Sequence, residues 1–401
     1  MSDLQTRQDL IPGLPEELAM ECLIRVPFQF HSSVKSVCRT WRTLVSDKSF
    51  NKERQRFSKA ESLLCLVQPL TSPPSPMIDA GEKKKEEEEE EGESHQQQQP
   101  RVTGTPLYGL SVYNATLDTW HRIVIPEQIP LFCECVAIQD AGKVLLLGGW
   151  DPETLQPVKD VFVLDFFAGV WKRGKPMSAA RSFFACASVG STKVYVAGGH
   201  DDQKNALRTA EVYDVERDEW LMLPPMEEGR DECHGFSTGK DFGFCVLSGY
   251  GTETQGQFRS DAEVYDPVMN SWSVIENVWP FQDLSPRGRT AGGESAGEIR
   301  GCKLWCFIDS ERQSEPRWEV EDGSMKWKVV METVRLPVTT MTSVFAGSLS
   351  GQAVAMIGGG GEESGTMMTT ADKNGGKGKW SHVNTPPGFS SLPFSYSSIY
   401  V

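Results

Sequence analysis

Few residues in this chain have the chemical types needed to hold a metal or run a reaction. His200-Asp201-Asp202 is one run of adjacent ligand-type side chains. An imidazole and two carboxylates supply part of a cation site. The same three residues also follow a glycine pair, where a polar loop is expected without any ligand. Cys133-x-Cys135 and Cys302-x3-Cys306 lack the paired spacing of a zinc site. Walker, H-E-x-x-H and G-x-G-x-x-G stretches are absent. The reading therefore expects no catalytic residue, no metal and no cofactor. Cations and indoles remain. Arg181, Arg230, Arg287 and Arg289 each stand just ahead of a short apolar run. A guanidinium fork pairs with carboxylates and stacks on rings, which suits a binding surface. It serves equally well to bond loop carbonyls, and both uses stay open. Trp150 and Trp279 fall outside the spacing of the repeat tryptophans and are candidate substrate-binding anchors, with plain packing an equal alternative.

The elements that must carry these residues repeat. Gly148-Gly149, Gly198-Gly199, Ser248-Gly249 and Gly358-Gly359 each close an apolar run. An Asp, Asn or Glu then stands six residues ahead of Trp120, Trp171, Trp220, Trp272, Trp327 and Trp380. Successive tryptophans are 51, 49, 52, 55 and 53 residues apart. A period near 50 with four short apolar runs defines one blade of a β-propeller, and GG, then VYD, then Trp resembles the kelch repeat. The expected fold is a six-bladed all-β propeller over residues 58–401. In such a ring the tryptophans pack between blades, the acids make turns, and the arginine loops surround one mouth of the central channel. The fifth blade, about 286–330, is irregular, with Asp309-Ser310 where a glycine pair is expected. Blade one lacks an inner strand, so the C-terminal run Phe394–Val401 is expected to pair with Ser62–Val67 and close the ring.

Residues 1–10 are polar and read as a loose N-terminus. Residues 11–57 are of a different kind, with no glycine after Gly13. Ala19, Cys22, Leu23 and Val26 form one helical stripe, and Val34, Val37, Cys38 and Trp41 form a second. Residues 71–105 contain KKKEEEEEEGE and QQQQ and read as a disordered acidic insert within blade one. The net charge of −15 argues against a broad nucleic-acid-binding face. No apolar run approaches the length needed to span a bilayer, and no secretory leader is visible, so a cytoplasmic or nuclear protein is expected.

LIPGLPEELAMECLIRVPFQFHSSVKSVCRTWRTLVSDKSF resembles an F-box, a small all-α module that docks on a Skp-family adaptor of a cullin/RING ubiquitin ligase. The resemblance assigns adaptor contact to Leu14, Pro15, Leu18, Leu23, Val37 and Trp41. A bundle this short cannot cover all its apolar groups alone, which makes a partner surface physically sensible. In kelch substrate receptors arginines at such loops hold acidic peptides; the resemblance thus assigns substrate binding to Arg181, Arg230, Arg287 and Arg289. An F-box followed by kelch repeats resembles the plant F-box/kelch-repeat family. GLPEELAMECLIRVP, GGWDPETLQPV and AARSFFACASVGSTKVYVAGGHDDQKNAL resemble its KISS ME DEADLY subgroup. That subgroup implies a non-catalytic substrate receptor in the ubiquitination and degradation of phenylalanine ammonia-lyase and of type-B response regulators, hence in phenylpropanoid synthesis and cytokinin signalling. A kelch scaffold without ligase function is the alternative.

Overall fold

The computed structural model describes residues 9–70, 106–237, 243–292, 301–308, 318–321, 328–336, 343–350, 352–358, 365–370 and 379–401. The acidic insert expected at 71–105, Trp327, Asp309-Ser310 and Gly359 lie outside them. The chain opens with four short helices, α1 (Glu16–Ile24), α2 (His31–Val37), α3 (Arg39–Ser46) and α4 (Lys48–Arg56). Pro15 is the N-cap of α1 and Glu16 and Glu17 fill its first turn, where the helix dipole favours acids. The second apolar stripe is not one helix. Cys38 is extended, ends α2, and caps α3 by accepting the Trp41 backbone N–H on its sulfur. Leu23, Ile24, Val34, Val45 and Phe50 form the small core between the helices.

Six four-stranded sheets follow. Blade three shows the pattern: Ala185–Val189, Lys193–Ala197, Ala210–Asp214 and Glu219–Met222 run antiparallel from the channel outward. The expectation of six kelch blades needs correction. Five sheets are regular antiparallel meanders. In the sheet at the fifth position Gly301–Ile308 pairs in parallel with Lys328–Arg335, and Trp318–Glu321 lies outermost. In blades two and three a glycine pair follows the second strand, at the turn into an antiparallel third; the sequence of this sheet has Asp309-Ser310 there. In blade one Ser395–Tyr400 lies antiparallel on Ser62–Pro69, with Ser62 opposite Tyr400 and Val67 opposite Ser395. The first and last strands of the propeller are thereby knitted into one sheet, which covers the inner edge of Ser62–Pro69.

The repeated residues have local jobs. Trp120, Trp171, Trp220, Trp272 and Trp380 each donate their indole N–H to a carbonyl of the preceding sheet's outgoing segment, at 2.7 to 3.1 Å. Each indole thus joins neighbouring sheets. Asn114, Asp165, Asp214 and Asp266 accept backbone N–H groups two or three residues on and shape the turn. Gly199 has φ +80°, and a Cβ there would stand 2.4 Å from the Ser182 carbonyl, so only glycine fits this close approach.

Candidate interaction sites at the two ends of the propeller

In an antiparallel meander, alternate connections open on opposite faces. The helical module sits on the face made by the first-to-second and third-to-fourth strand turns. Phe28 stacks on Phe166 with ring centroids 5.7 Å apart. Lys35 donates to the Phe167 carbonyl, and Lys48 pairs with Glu216 at 3.2 Å. The centre of this contact is a buried network. Arg54 pairs with Glu61 at 2.8 Å and also donates to the carbonyls of Ile24 and Val26. Glu61 further accepts the Phe28 backbone N–H at 2.6 Å and the Asn114 amide at 2.5 Å. Burial and the Arg54 charge hold the His31 pKa down to about 4, so the imidazole beside Arg54 is neutral at physiological pH.

The residues assigned to adaptor contact divide. Leu14 and Pro15 are exposed, Leu18 is 51 % exposed and Val37 61 %. None of them belongs to the contact with the propeller described above. Leu23 is corrected: at 3 % exposure it belongs to the helical core, because it sits on the α1 stripe that faces α4. Trp41 is half-buried and donates to the Leu10 carbonyl at 2.7 Å. Phe30 and Phe57, about half exposed, were not singled out from sequence.

The residues assigned to substrate binding also divide. Arg181 and Arg230 are corrected. Both are fully buried. Arg181 donates to the carbonyls of Gly198 and Thr209 and pairs with buried Glu211 at 3.2 Å. Arg230 donates to the Ser248 carbonyl and pairs with Asp261 at 2.6 Å and Glu263 at 2.9 Å. Burial alone would push Asp261 up, yet hydrogen bonds from Arg259 and Arg230 outweigh it and hold the carboxyl down to about 2. These arginines lock each glycine turn to its own blade and have no surface to offer. Trp279 is corrected as well: it is a core residue, donating to the Leu284 carbonyl and packed edge-on against Phe281. Arg289 is half-buried, and its carbonyl accepts the Phe307 N–H.

Arg287 and Trp150 stand at the mouth on the face away from the helices. Arg287 reaches across the channel. It donates to the Phe184 and Cys233 carbonyls at 2.9 Å and pairs with Glu134, so one side chain bonds three other blades. Its guanidinium stacks 4.9 Å from the Phe394 ring. Beneath it the channel encloses about 410 Å³, lined by the inner strands with Cys135, Ser188, His234 and Ser397 among the lining residues. Burial, reinforced by the Arg287 charge, drives the His234 pKa down to about 3. Burial also pushes the Cys65 thiol up to about 12 and raises those of Cys133, Cys135 and Cys186, which makes them poor nucleophiles. His200, read as a ligand-type residue, is instead bonded to Asp231 at 2.9 Å, and no metal-holding group of three or more His, Cys, Asp or Glu occurs among the described residues. Gly293-x-Ser295-x-Gly297 does spell a nucleophile-elbow pattern, and it lies outside the described residues. No described helix is long and apolar enough to cross a membrane.

Sequence reasoning missed the aromatic ring of this mouth. Phe132 contacts Trp150, Phe183 and Phe394 at centroid distances of 5.3 to 5.5 Å. A signal existed: the residue after the glycine turn is Trp150, His200 and Tyr250 in blades two, three and four, aromatic in three successive blades.

A helical docking module fixed to one face of a β-propeller, with an aromatic mouth on the other, defines a two-ended interaction protein. Residues 11–53 match the F-box domain and residues 180–227 the Kelch motif. The chain is 80 % identical to the F-box/kelch-repeat protein SKIP20 of Arabidopsis thaliana, over 99 % of this chain and 98 % of that one. It is 60 % identical to the Arabidopsis F-box/kelch-repeat protein At2g44130, over 100 % and 97 %. A third Arabidopsis F-box/kelch-repeat protein, At1g80440, is 37 % identical over 71 % of this chain. The chain belongs to the plant F-box/kelch-repeat family.

Proposed function

We propose that this protein is the substrate-recognition subunit of a Skp-cullin-F-box ubiquitin ligase, itself without catalytic residues. The observation that carries the reading is the division of surfaces. Leu14, Pro15, Leu18 and Val37 leave an apolar set uncovered on the helical module, as a docking element for an adaptor requires. The propeller mouth opens on the opposite face, where a target can be held while the adaptor is bound. Phenylalanine ammonia-lyase and type-B response regulators are the first targets to try, which would make the protein a negative regulator of phenylpropanoid synthesis and cytokinin signalling in the cytoplasm or nucleus.

The test is co-purification of the full chain with a Skp-family adaptor, then ubiquitination of phenylalanine ammonia-lyase by the reconstituted ligase. Leu14→Ala with Pro15→Ala should abolish adaptor capture while the melting temperature stays put. Adaptor capture unchanged by that pair would refute the docking assignment and favour a kelch scaffold.

A further inference from the structure

The loops of this mouth repeat a left-handed residue two positions ahead of the first strand, at Phe132, Phe183 and Glu232. Phe132 and Phe183 have φ near +55°, and Lys204 has φ +64°. Left-handed backbone disfavours bulky and long side chains; glycine or asparagine would sit there more easily. The turn itself belongs to the repeat; the bulky ring placed in it at Phe132 and Phe183, where blade four has Glu232, does not. Phe132, Phe183 and Lys204 meet at one place. Phe183 and Phe132 pack on Trp150, and the Lys204 ammonium stands 3.8 Å from the centre of the Trp150 ring. Lys204 also lies 3.1 Å from His200 Nε2, and His200 stacks on Phe183 while its other nitrogen is held by Asp231.

Some donors at this mouth are left without an acceptor. Lys204 has no carboxylate in ion-pair contact among the described residues. Burial holds its pKa below the ordinary lysine value in spite of the nearby Asp231 charge. The Trp150 indole N–H and the Arg287 Nε–H are buried with no acceptor. A buried donor without a partner costs free energy that an arriving acceptor recovers. The cavity below is closed from this side by Arg287, so a ligand lies on the rim rather than entering the channel.

We infer that this rim binds an extended segment of the protein target in which an aromatic or large aliphatic side chain is followed closely by Asp or Glu. The apolar side chain packs on the partly exposed rings of Phe132, Phe183 and Phe394, and the carboxylate pairs with Lys204. This rests on the receptor reading and names its capture chemistry. Aromatic anchors and close charge pairs carry large shares of the binding energy at protein interfaces.

The test pans phage-displayed random dodecapeptides on the full chain, with adaptor co-purification measured on the same preparations. Enriched peptides should combine an aromatic, Leu or Met with a carboxylate one or two residues away. Phe183→Ala and Lys204→Glu should each weaken them roughly tenfold or more, the scale of a close interfacial charge pair, while Lys204→Arg keeps binding. Lys204 is exposed, so Lys204→Glu leaves the fold intact even where Phe183→Ala does not. Panning on Lys204→Glu should select Lys or Arg in place of the acid. No enrichment, enrichment without acids, or binding indifferent to Lys204→Glu would overturn the inference. Adaptor capture alongside that failure leaves the receptor reading standing. Lys204-dependent peptides without adaptor capture would sink the receptor reading and keep the site.

Discussion

Replacing Arg54 with Met isolates the junction between the two domains. The side chain is buried, and its fork bonds Glu61 at 2.8 Å, the Ile24 carbonyl at 2.9 Å and the Val26 carbonyl at 2.5 Å, with His31 Nε2 a further contact at 3.3 Å. Met fills much of the volume and removes every donor. Glu61 then keeps only the Phe28 N–H and the Asn114 amide around a carboxylate that no longer has a cation. Breaking a buried pair from one side costs about 3–5 kcal/mol, much of it the charge left behind. Set against a typical stability of roughly 5–15 kcal/mol, that is a large share. The damage should be local: backbone amides of 28–50 lose hydrogen-exchange protection, while Lys193–Ala197, in the middle of blade three, does not. Urea unfolding followed by far-UV dichroism gives the cost. Adding Glu61→Gln removes the stranded charge, so the double variant should recover part of the loss, with a coupling of about 1–3 kcal/mol. A single variant within about 1 kcal/mol of the parent, or a double variant no better than the single, would refute the view that this ion pair holds the module on blade one.

Deleting Phe394–Val401 removes the inner strand of blade one, with buried Ile399 and Val401, and bares the Ser62–Pro69 edge. The truncated chain should aggregate or melt far below the parent in a thermal scan, and one that melts like the parent would mean the ring does not depend on this strand. Arg230→Ala leaves Glu263 buried without its cation and should cost about 3–5 kcal/mol in urea unfolding, with no specific effect on target capture in a pull-down corrected for folded protein. Stability should also fall with acid. His31 has a folded pKa of about 4 against 6.5 unfolded, so the unfolded chain binds the extra proton between those values. The His31 contribution is complete above pH 6.5 and is lost as pH falls toward 4, at most about 3 kcal/mol. His31→Asn should flatten the difference in unfolding free energy between pH 7 and pH 4.5, and an unchanged difference would show that His31 titrates normally.

The repeat was legible because each blade must solve the same local problem. The glycine pair, the turn acid and the tryptophan act within one blade or on its neighbour, so their spacing survives in the sequence as a period near 50. The helical module was legible for the same reason, through stripes at helical spacing, although the break at Cys38 was not. The pairing of the last strand with Ser62–Val67 also followed locally, from an unpaired inner edge in blade one and an alternating run at the C-terminus. The fate of individual polar side chains was decided only by tertiary structure. Arg181, Arg230 and Arg287 look alike in sequence, each ahead of an apolar run. The first two meet Glu211 and Glu263 of their own blades and vanish into the core, while Arg287 finds its partners in three other blades. Trp150 and Trp279 both break the repeat, yet one reaches the mouth and the other is buried. The parallel pair in the fifth sheet and the Arg54–Glu61 junction are likewise contacts between distant segments. Spacing along the chain records which residues share an element; which charge meets which depends on how elements dozens of residues apart are brought together, and no local pattern encodes that.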